Sequence, residues 1–205
     1  TQGCIFDQEL LYDKFPNELL PFDFDEYFRN RTVFEMVTTN CLTGGAMYLT
    51  EKNDKQRTLD LVRASSSLPF VSKIVNVDGI PMLDGGIVDS IPVQRAIDTG
   101  HDFNVLVMTR NYGFRASGKA HKIPNFIYKK YPRLRVALSR RLEVYNNQLQ
   151  LVEDLEREGR VACIRPQRPM DVGRIEKDTN KLEALYEEGF EEGEKFIANL
   201  KAGMY

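Results

Sequence analysis

The sequence is poor in histidine and cysteine, the residues that most often supply general bases and soft metal ligands. Its 205 residues include no tryptophan, two histidines (His101 and His121) and three cysteines (Cys4, Cys41 and Cys163). So few histidines nearly exclude a histidine base or a multi-histidine metal site. An odd cysteine count without a Cys-x-x-Cys spacing argues against a disulfide framework and a zinc ribbon. A reducing compartment fits best, so we expect a cytoplasmic protein.

Charge and hydropathy exclude further classes. The chain has 28 Lys and Arg against 30 Asp and Glu, a net charge of −2, which gives no overall attraction to nucleic acid or anionic membranes. No stretch approaches the roughly 18 consecutive apolar residues of a transmembrane helix. The length suffices for one hydrophobic core, and we therefore predict one domain over residues 1–205.

Strand and helix patterns alternate and predict an α/β class with a mixed central sheet. Two hairpins are predicted, one over 34–39 and 46–49 and one over 74–77 and 80–83, with Gly44-Gly45 and Asp78-Gly79 at their turns. The near-continuous apolar run Phe103–Thr109 predicts a buried central strand. Further predicted elements are helices over 56–67 and 93–99 and a strand over 162–164.

The C-terminal region, about 123–205, is predicted to be mainly helical. Apolar residues at steps of three and four give a first helix one apolar face, and Gly159 ends it. A final helix over 180–202 is predicted to begin with a capping box of Asn180 and Glu183. Its inward residues are predicted to be Leu182, Leu185, Tyr186, Phe190, Phe196, Ile197 and Leu200.

Asp84, Gly85 and Gly86 form the most informative motif. They follow the apolar strand 80–83, so the carboxylate is expected at a strand end, where ligands of α/β sheets bind. The glycines permit positive φ and close approach of another backbone. Alternatively, the motif is a glycine turn whose aspartate hydrogen-bonds to its own loop. Asp84 and Asp89 lack a third ligand at useful spacing, so no metal is predicted.

A basic stretch runs from Arg110 to Arg141, with ten Lys and Arg, no acid and interleaved aromatics. Such a block attracts phosphate groups and suits an interfacial surface. Its candidate lipid-facing residues are Lys129, Lys130, Arg133 and Arg135. The alternative is a solvated face neutralised by the acidic C-terminal helices. The block belongs to no recognised nucleic-acid-binding module, and no nucleic acid partner is expected.

The ordered set of motifs resembles the bacterial branch of the patatin-like phospholipase family. The set comprises Val37-Thr38-Thr39-Asn40 with Thr43-Gly44-Gly45, then Ala64-Ser65-Ser66 before Pro69, then Asp84-Gly85-Gly86 before Pro92, with Tyr131-Pro132-Arg133 and Leu182–Tyr186 in the C-terminal half. The resemblance implies an α/β/α layered fold. It also implies a Ser-Asp dyad without histidine, acting on lipid or small acyl esters. Asp84 would be the base, Gly85 and Gly86 would complete its motif, and no cofactor is needed.

The sequence departs from the family in the nucleophile. Among its 14 glycines only Gly189 and Gly193 lie four apart, and Glu191 stands between them, so no Gly-x-Ser-x-Gly motif exists. No triple-glycine oxyanion loop exists either. We therefore expect the distal part of a patatin-like domain, with Thr1 as a break in a longer chain and the serine outside it. Ser65, Ser66 and Ser67 are expected to bond at a helix end.

Two functions follow as expectations. The first is a serine acyl hydrolase in which the complete protein is active, this chain alone is inactive, and contact with a membrane surface is transient and peripheral. The alternative is a non-catalytic truncated or degenerate member that binds lipid or a protein partner through the basic stretch 110–141.

Overall fold

The computed structural model describes residues 7–118, 123–173 and 176–204. Its strands are β1 (Met36–Asn40), β2 (Ala46–Leu49), β3 (Val75–Val77), β4 (Ile80–Asp84), β5 (Asn104–Val107) and β6 (Val161–Ile164). Its α-helices are α1 (Phe24–Arg29), α2 (Lys55–Ser65), α3 (Val93–Asp98), α4 (Pro132–Arg157) and α5 (Thr179–Lys201). A π-helix spans Leu10–Leu19, and a 3-10 turn spans Gly85–Ile87. The predicted α/β class is confirmed.

The chain divides into two compact units. The first comprises Thr1–Ile91 with Gly118–Tyr145, and the second comprises Pro92–Ser117 with Asn146–Tyr205. The boundary within the C-terminal region falls inside α4, so the first half of this helix belongs with the first unit. One domain over residues 1–205 stays a prediction.

The first unit contains a four-stranded antiparallel sheet in the order β2-β1-β4-β3. Both predicted hairpins are present, and Asp78 and Gly79 adopt positive φ at the β3–β4 turn. Pro81 is the second residue of β4 and lies opposite Cys41, one position beyond the end of β1, where its missing N–H interrupts no strand pair.

Helices cover both faces of this sheet, because successive residues of β4 point to opposite sides. Met82 belongs to a buried cluster with Leu61 and Ala64 of α2. Leu83 belongs to a second cluster with Leu134 of α4. The first unit therefore has the α/β/α layering that the sequence predicted.

The second unit contains a two-stranded parallel sheet, β5 with β6. Parallel and antiparallel pairings are thus both present, but in separate sheets. The prediction of a buried central strand over Phe103–Thr109 is wrong. Among the described residues β5 pairs only with β6, and its alternate side chains Val105 and Val107 are 47% and 78% exposed. Successive side chains of a strand point to opposite faces, so the residue between Val105 and Val107 in the alternation faces the protein while these two face solvent.

The final helix also differs from its prediction. Asp178 caps α5 by accepting a hydrogen bond from the Asn180 backbone N–H, so the predicted capping box of Asn180 and Glu183 is wrong. Of the predicted inward residues Phe196 is buried and Leu185 half-buried. The others are exposed: Leu182, Tyr186, Phe190, Ile197 and Leu200. Within the described ranges, no helix is both long and apolar enough to cross a bilayer.

Candidate active site

Asp84 is the last residue of β4, and its backbone is fixed from two sides. Its N–H donates to the carbonyl oxygen of Ser67, which follows α2, at 2.9 Å. Its own carbonyl oxygen accepts a 2.7 Å hydrogen bond from Thr39 Oγ1 in the neighbouring strand β1. Because Ser67 and Thr39 are both buried, the strand end is held in place on either side of the aspartate.

The carboxylate of Asp84 caps the 3-10 turn that follows it. Oδ1 accepts a 2.6 Å hydrogen bond from the Gly86 N–H. Oδ2 accepts no hydrogen bond from the part of the chain that the structure describes. The local glycine turn expected as the alternative is therefore present, and it uses only one of the two carboxylate oxygens.

Close contacts require a glycine at position 85 and leave little room for a side chain at position 86. A Cβ at Gly85 would lie 2.4 Å from the carbonyl oxygen of Val37, which itself accepts a hydrogen bond from Ser65 Oγ. A Cβ at Gly86 would lie 3.0 Å from Asp84 Oδ1. A side chain at position 85 would therefore displace β1, and one at position 86 would shift the Asp84 carboxylate slightly.

A second layer of donors holds the turn through the Gly86 carbonyl oxygen. Ser90 Oγ donates to it at 2.8 Å, and Arg141 Nε donates at 2.9 Å from α4. In the sequence Arg141 is the last residue of the basic stretch 110–141. Its spacing of seven residues from Leu134 places both on one helix face, and this signal identifies Arg141 as inward-facing.

Burial raises the pKa of the Asp84 carboxyl above its ordinary value. The Gly86 N–H and the positive charge of Arg141 oppose this effect only in part. A carboxylate with a raised pKa is a stronger proton acceptor, which suits a general base. A perturbed acid at a strand end is also a recognised mark of a functional site.

The three serines near this site bond to the backbone, as expected. Ser65 Oγ donates to Val37 O, Ser66 Oγ to Val62 O and Ser67 Oγ to Arg63 O. These contacts end α2 and connect it with β1. None of the three hydroxyls contacts the Asp84 carboxylate.

The structure offers no metal site among the described residues, which contain no cluster of three or more His, Cys, Asp or Glu placed to hold an ion. Asp89, considered with Asp84 as a metal pair, accepts a 2.6 Å hydrogen bond from the Tyr48 hydroxyl. Cys41 is fully buried, and burial raises the pKa of its thiol to about 12.

The candidate lipid-facing residues lie on one segment but in different environments. Lys129, Lys130 and Arg133 are exposed and make no ion pair within the described ranges. Arg135 is half-buried and bonds to Asn125 Oδ1. Elsewhere in the basic stretch, Arg115 forms a 2.7 Å ion pair with Glu153 of α4. This pair is of the kind expected if acidic residues of the C-terminal helices neutralise the stretch. Lys119 and Lys122 lie outside the described residues.

Comparisons with known proteins match two parts of the chain. Residues 1–97 match the model of the family described as "Patatin-like phospholipase". Residues 131–204 match a family described as "Domain of unknown function (DUF6363)". A curated protein, "Uncharacterized protein YjjU" of Escherichia coli (strain K12), is 46% identical over 56 residues. That alignment covers 27% of this chain and 16% of the relative, so the chain spans only a small part of the relative's length.

Proposed function

We propose that the protein is a serine lipid acyl hydrolase with Asp84 as the base of a Ser-Asp dyad, because residues 1–97 match the model of the patatin-like phospholipase family. Its substrates are lipids or small acyl esters. The geometry of Asp84 is the observation that carries the proposal. Its carboxylate lies at a strand end with a raised pKa, and one oxygen receives no hydrogen bond from the described residues.

In the proposed reaction Asp84 accepts the proton of the serine hydroxyl while the serine oxygen attacks the ester carbonyl carbon. Collapse of the tetrahedral intermediate breaks the ester bond, and the leaving alcohol takes the proton back from Asp84. Water then attacks the acyl-enzyme, with Asp84 again as base, and releases a carboxylic acid. Asp84 can serve twice because Gly86 and Thr39 hold it in position without occupying Oδ2.

The serine of this dyad is proposed to lie outside these 205 residues, since the sequence contains no Gly-x-Ser-x-Gly motif. This chain alone is then expected to be inactive. An intact-mass measurement of the native protein, or its upstream reading frame, tests whether a segment with that motif precedes Thr1.

Hydrolysis of p-nitrophenyl butyrate by the native protein tests the role of Asp84. Asp84→Asn keeps an oxygen for the Gly86 N–H but removes the base, so we expect the rate to fall by about 10² to 10⁴. Asp78→Asn is a matched control, because it makes the same change in the turn of the same β3–β4 hairpin. Full activity in Asp84→Ala would overturn the assignment.

A second candidate function, non-catalytic binding of lipid or a protein partner through residues 110–141, is favoured by the exposed and unpaired Lys129, Lys130 and Arg133. Changing these three and Arg135 to Glu is expected to weaken binding to vesicles that contain anionic lipid. Unchanged binding would reject this candidate, whatever the outcome for hydrolysis.

A further inference from the structure

A groove of about 360 Å³ lies between the first half of α4 and the turn that follows Asp84, within the first unit. Just over half of its lining is apolar and comes from Ile87, Val88, Val136, Ala137 and Val144. Ile87 is the last residue of the 3-10 turn that Asp84 caps. The groove therefore borders the candidate active-site turn directly.

Two arginines of α4, Arg133 and Arg140, also line the groove. They are seven residues apart, so they lie on one helix face about 10 Å apart along the axis. Arg133 makes no ion pair within the described ranges. Arg140 Nε lies 3.6 Å from Glu143 Oε2, and both side chains are 62% exposed, so this pair is weak. The apolar groove thus carries an excess of positive charge.

We propose that this groove binds a single-chain fatty acid, with its carboxylate at Arg133 and Arg140 and its chain along the apolar wall. A guanidinium pairs with a carboxylate through two parallel hydrogen bonds, which a neutral headgroup cannot accept in the same way. The volume is near the lower end for ligand pockets, so one short chain fits better than a two-chain lipid.

The origin of this ligand rests on the proposed function, because ester hydrolysis releases a fatty acid carboxylate. A fatty acid in the groove contacts Ile87 and Val88, immediately after the motif of Asp84. In this proposal the released fatty acid is bound beside the turn that follows Asp84.

Calorimetric titration with octanoate, octanol and acetate tests the proposal. Octanoate is expected to bind at least tenfold more tightly than octanol, which lacks the charge, and than acetate, which lacks the chain. The double variant Arg133→Gln/Arg140→Gln is expected to lose at least tenfold in octanoate affinity. The control Lys129→Gln/Lys130→Gln removes the same charge from exposed positions outside the groove wall and is expected to change affinity less than twofold.

Equal losses of octanoate affinity in the two double variants would overturn the proposal, because they would show that binding depends on surface charge in general. Octanol binding as tightly as octanoate, or octyl phosphate binding tenfold more tightly, would overturn the carboxylate assignment. Octanoate binding is also expected to persist in Asp84→Asn. Binding without hydrolysis in the native protein would reject the proposed function alone, and hydrolysis without octanoate binding would reject the groove alone.

Discussion

Replacing Leu134 by alanine is expected to destabilise the unit that carries Asp84 by about 3 kcal/mol. Leu134 is fully buried near the start of α4 and shares a cluster with Leu83, the residue before Asp84. The change removes three carbon atoms, which accounts for about 2.4 kcal/mol at roughly 0.8 kcal/mol per buried methylene. The remaining cavity adds to the loss, and such changes cost about 2 to 5 kcal/mol in total.

Urea unfolding followed by far-UV circular dichroism and tyrosine fluorescence measures this loss, since the chain has no tryptophan. Hydrogen exchange of the Asp84 amide, which donates to Ser67 O, reports on the end of β4 itself. Val136→Ala is the matched control, because Val136 is 59% exposed on the same helix, and we expect a change within about 0.5 kcal/mol. A loss below about 1 kcal/mol for Leu134→Ala, or equal losses in both variants, would refute the packing of α4 beside Asp84.

Three further substitutions test Asp84 and the residues that stabilise the unit around it. Asp84→Asn is expected to raise the free energy of unfolding at pH 7, because burial raises the pKa of Asp84 in the folded state. The wild type therefore loses stability as the pH rises from about 4 through that pKa, and the variant does not. Stability curves from pH 3 to 8 check that the difference between the two proteins disappears in acid. Gly85→Ala is expected to lower the free energy of unfolding in urea by about 1 to 3 kcal/mol, since its Cβ would lie 2.4 Å from Val37 O. The control Gly45→Ala is expected to be nearly neutral, because the nearest atom to its Cβ would be 3.5 Å away. Glu51→Gln is expected to cost about 2 kcal/mol at pH 7, because three backbone N–H groups and an arginine lower the Glu51 pKa to about 2. The Glu51 contribution is present above about pH 4.5 and is lost as pH falls towards 2, so a constant penalty across this range would contradict the assignment.

Local signals were sufficient to predict the elements that position Asp84. The Asp78-Gly79 turn and the apolar residues on either side of it predicted the β3–β4 hairpin, and β4 ends at Asp84. The serines after α2 were predicted to bond to the backbone for the same reason, since their short hydroxyls reach carbonyl groups one turn back. Each of these predictions depends on residues close together in the sequence.

Contacts between distant residues were not predictable in the same way. The apolar run Phe103–Thr109 is equally compatible with a central strand and with β5, whose face at Val107 is exposed, because the pattern does not reveal the number of neighbouring strands. Similarly, the seven-residue spacing places Arg141 on the inward face of α4, but not opposite the Gly86 carbonyl that it contacts. These partners depend on how the elements pack.

The environment of Asp84 combines residues from both family matches. Asp84 and Gly86 lie in the patatin-like match, whereas Arg141 and Leu134 lie in the match that begins at residue 131. All four belong to the same compact unit. Arg141 holds the Gly86 carbonyl oxygen, and its charge opposes the effect of burial on the Asp84 pKa. Because a change in α4 alters both the position and the basicity of this carboxylate, the start of the second match is part of the candidate active site.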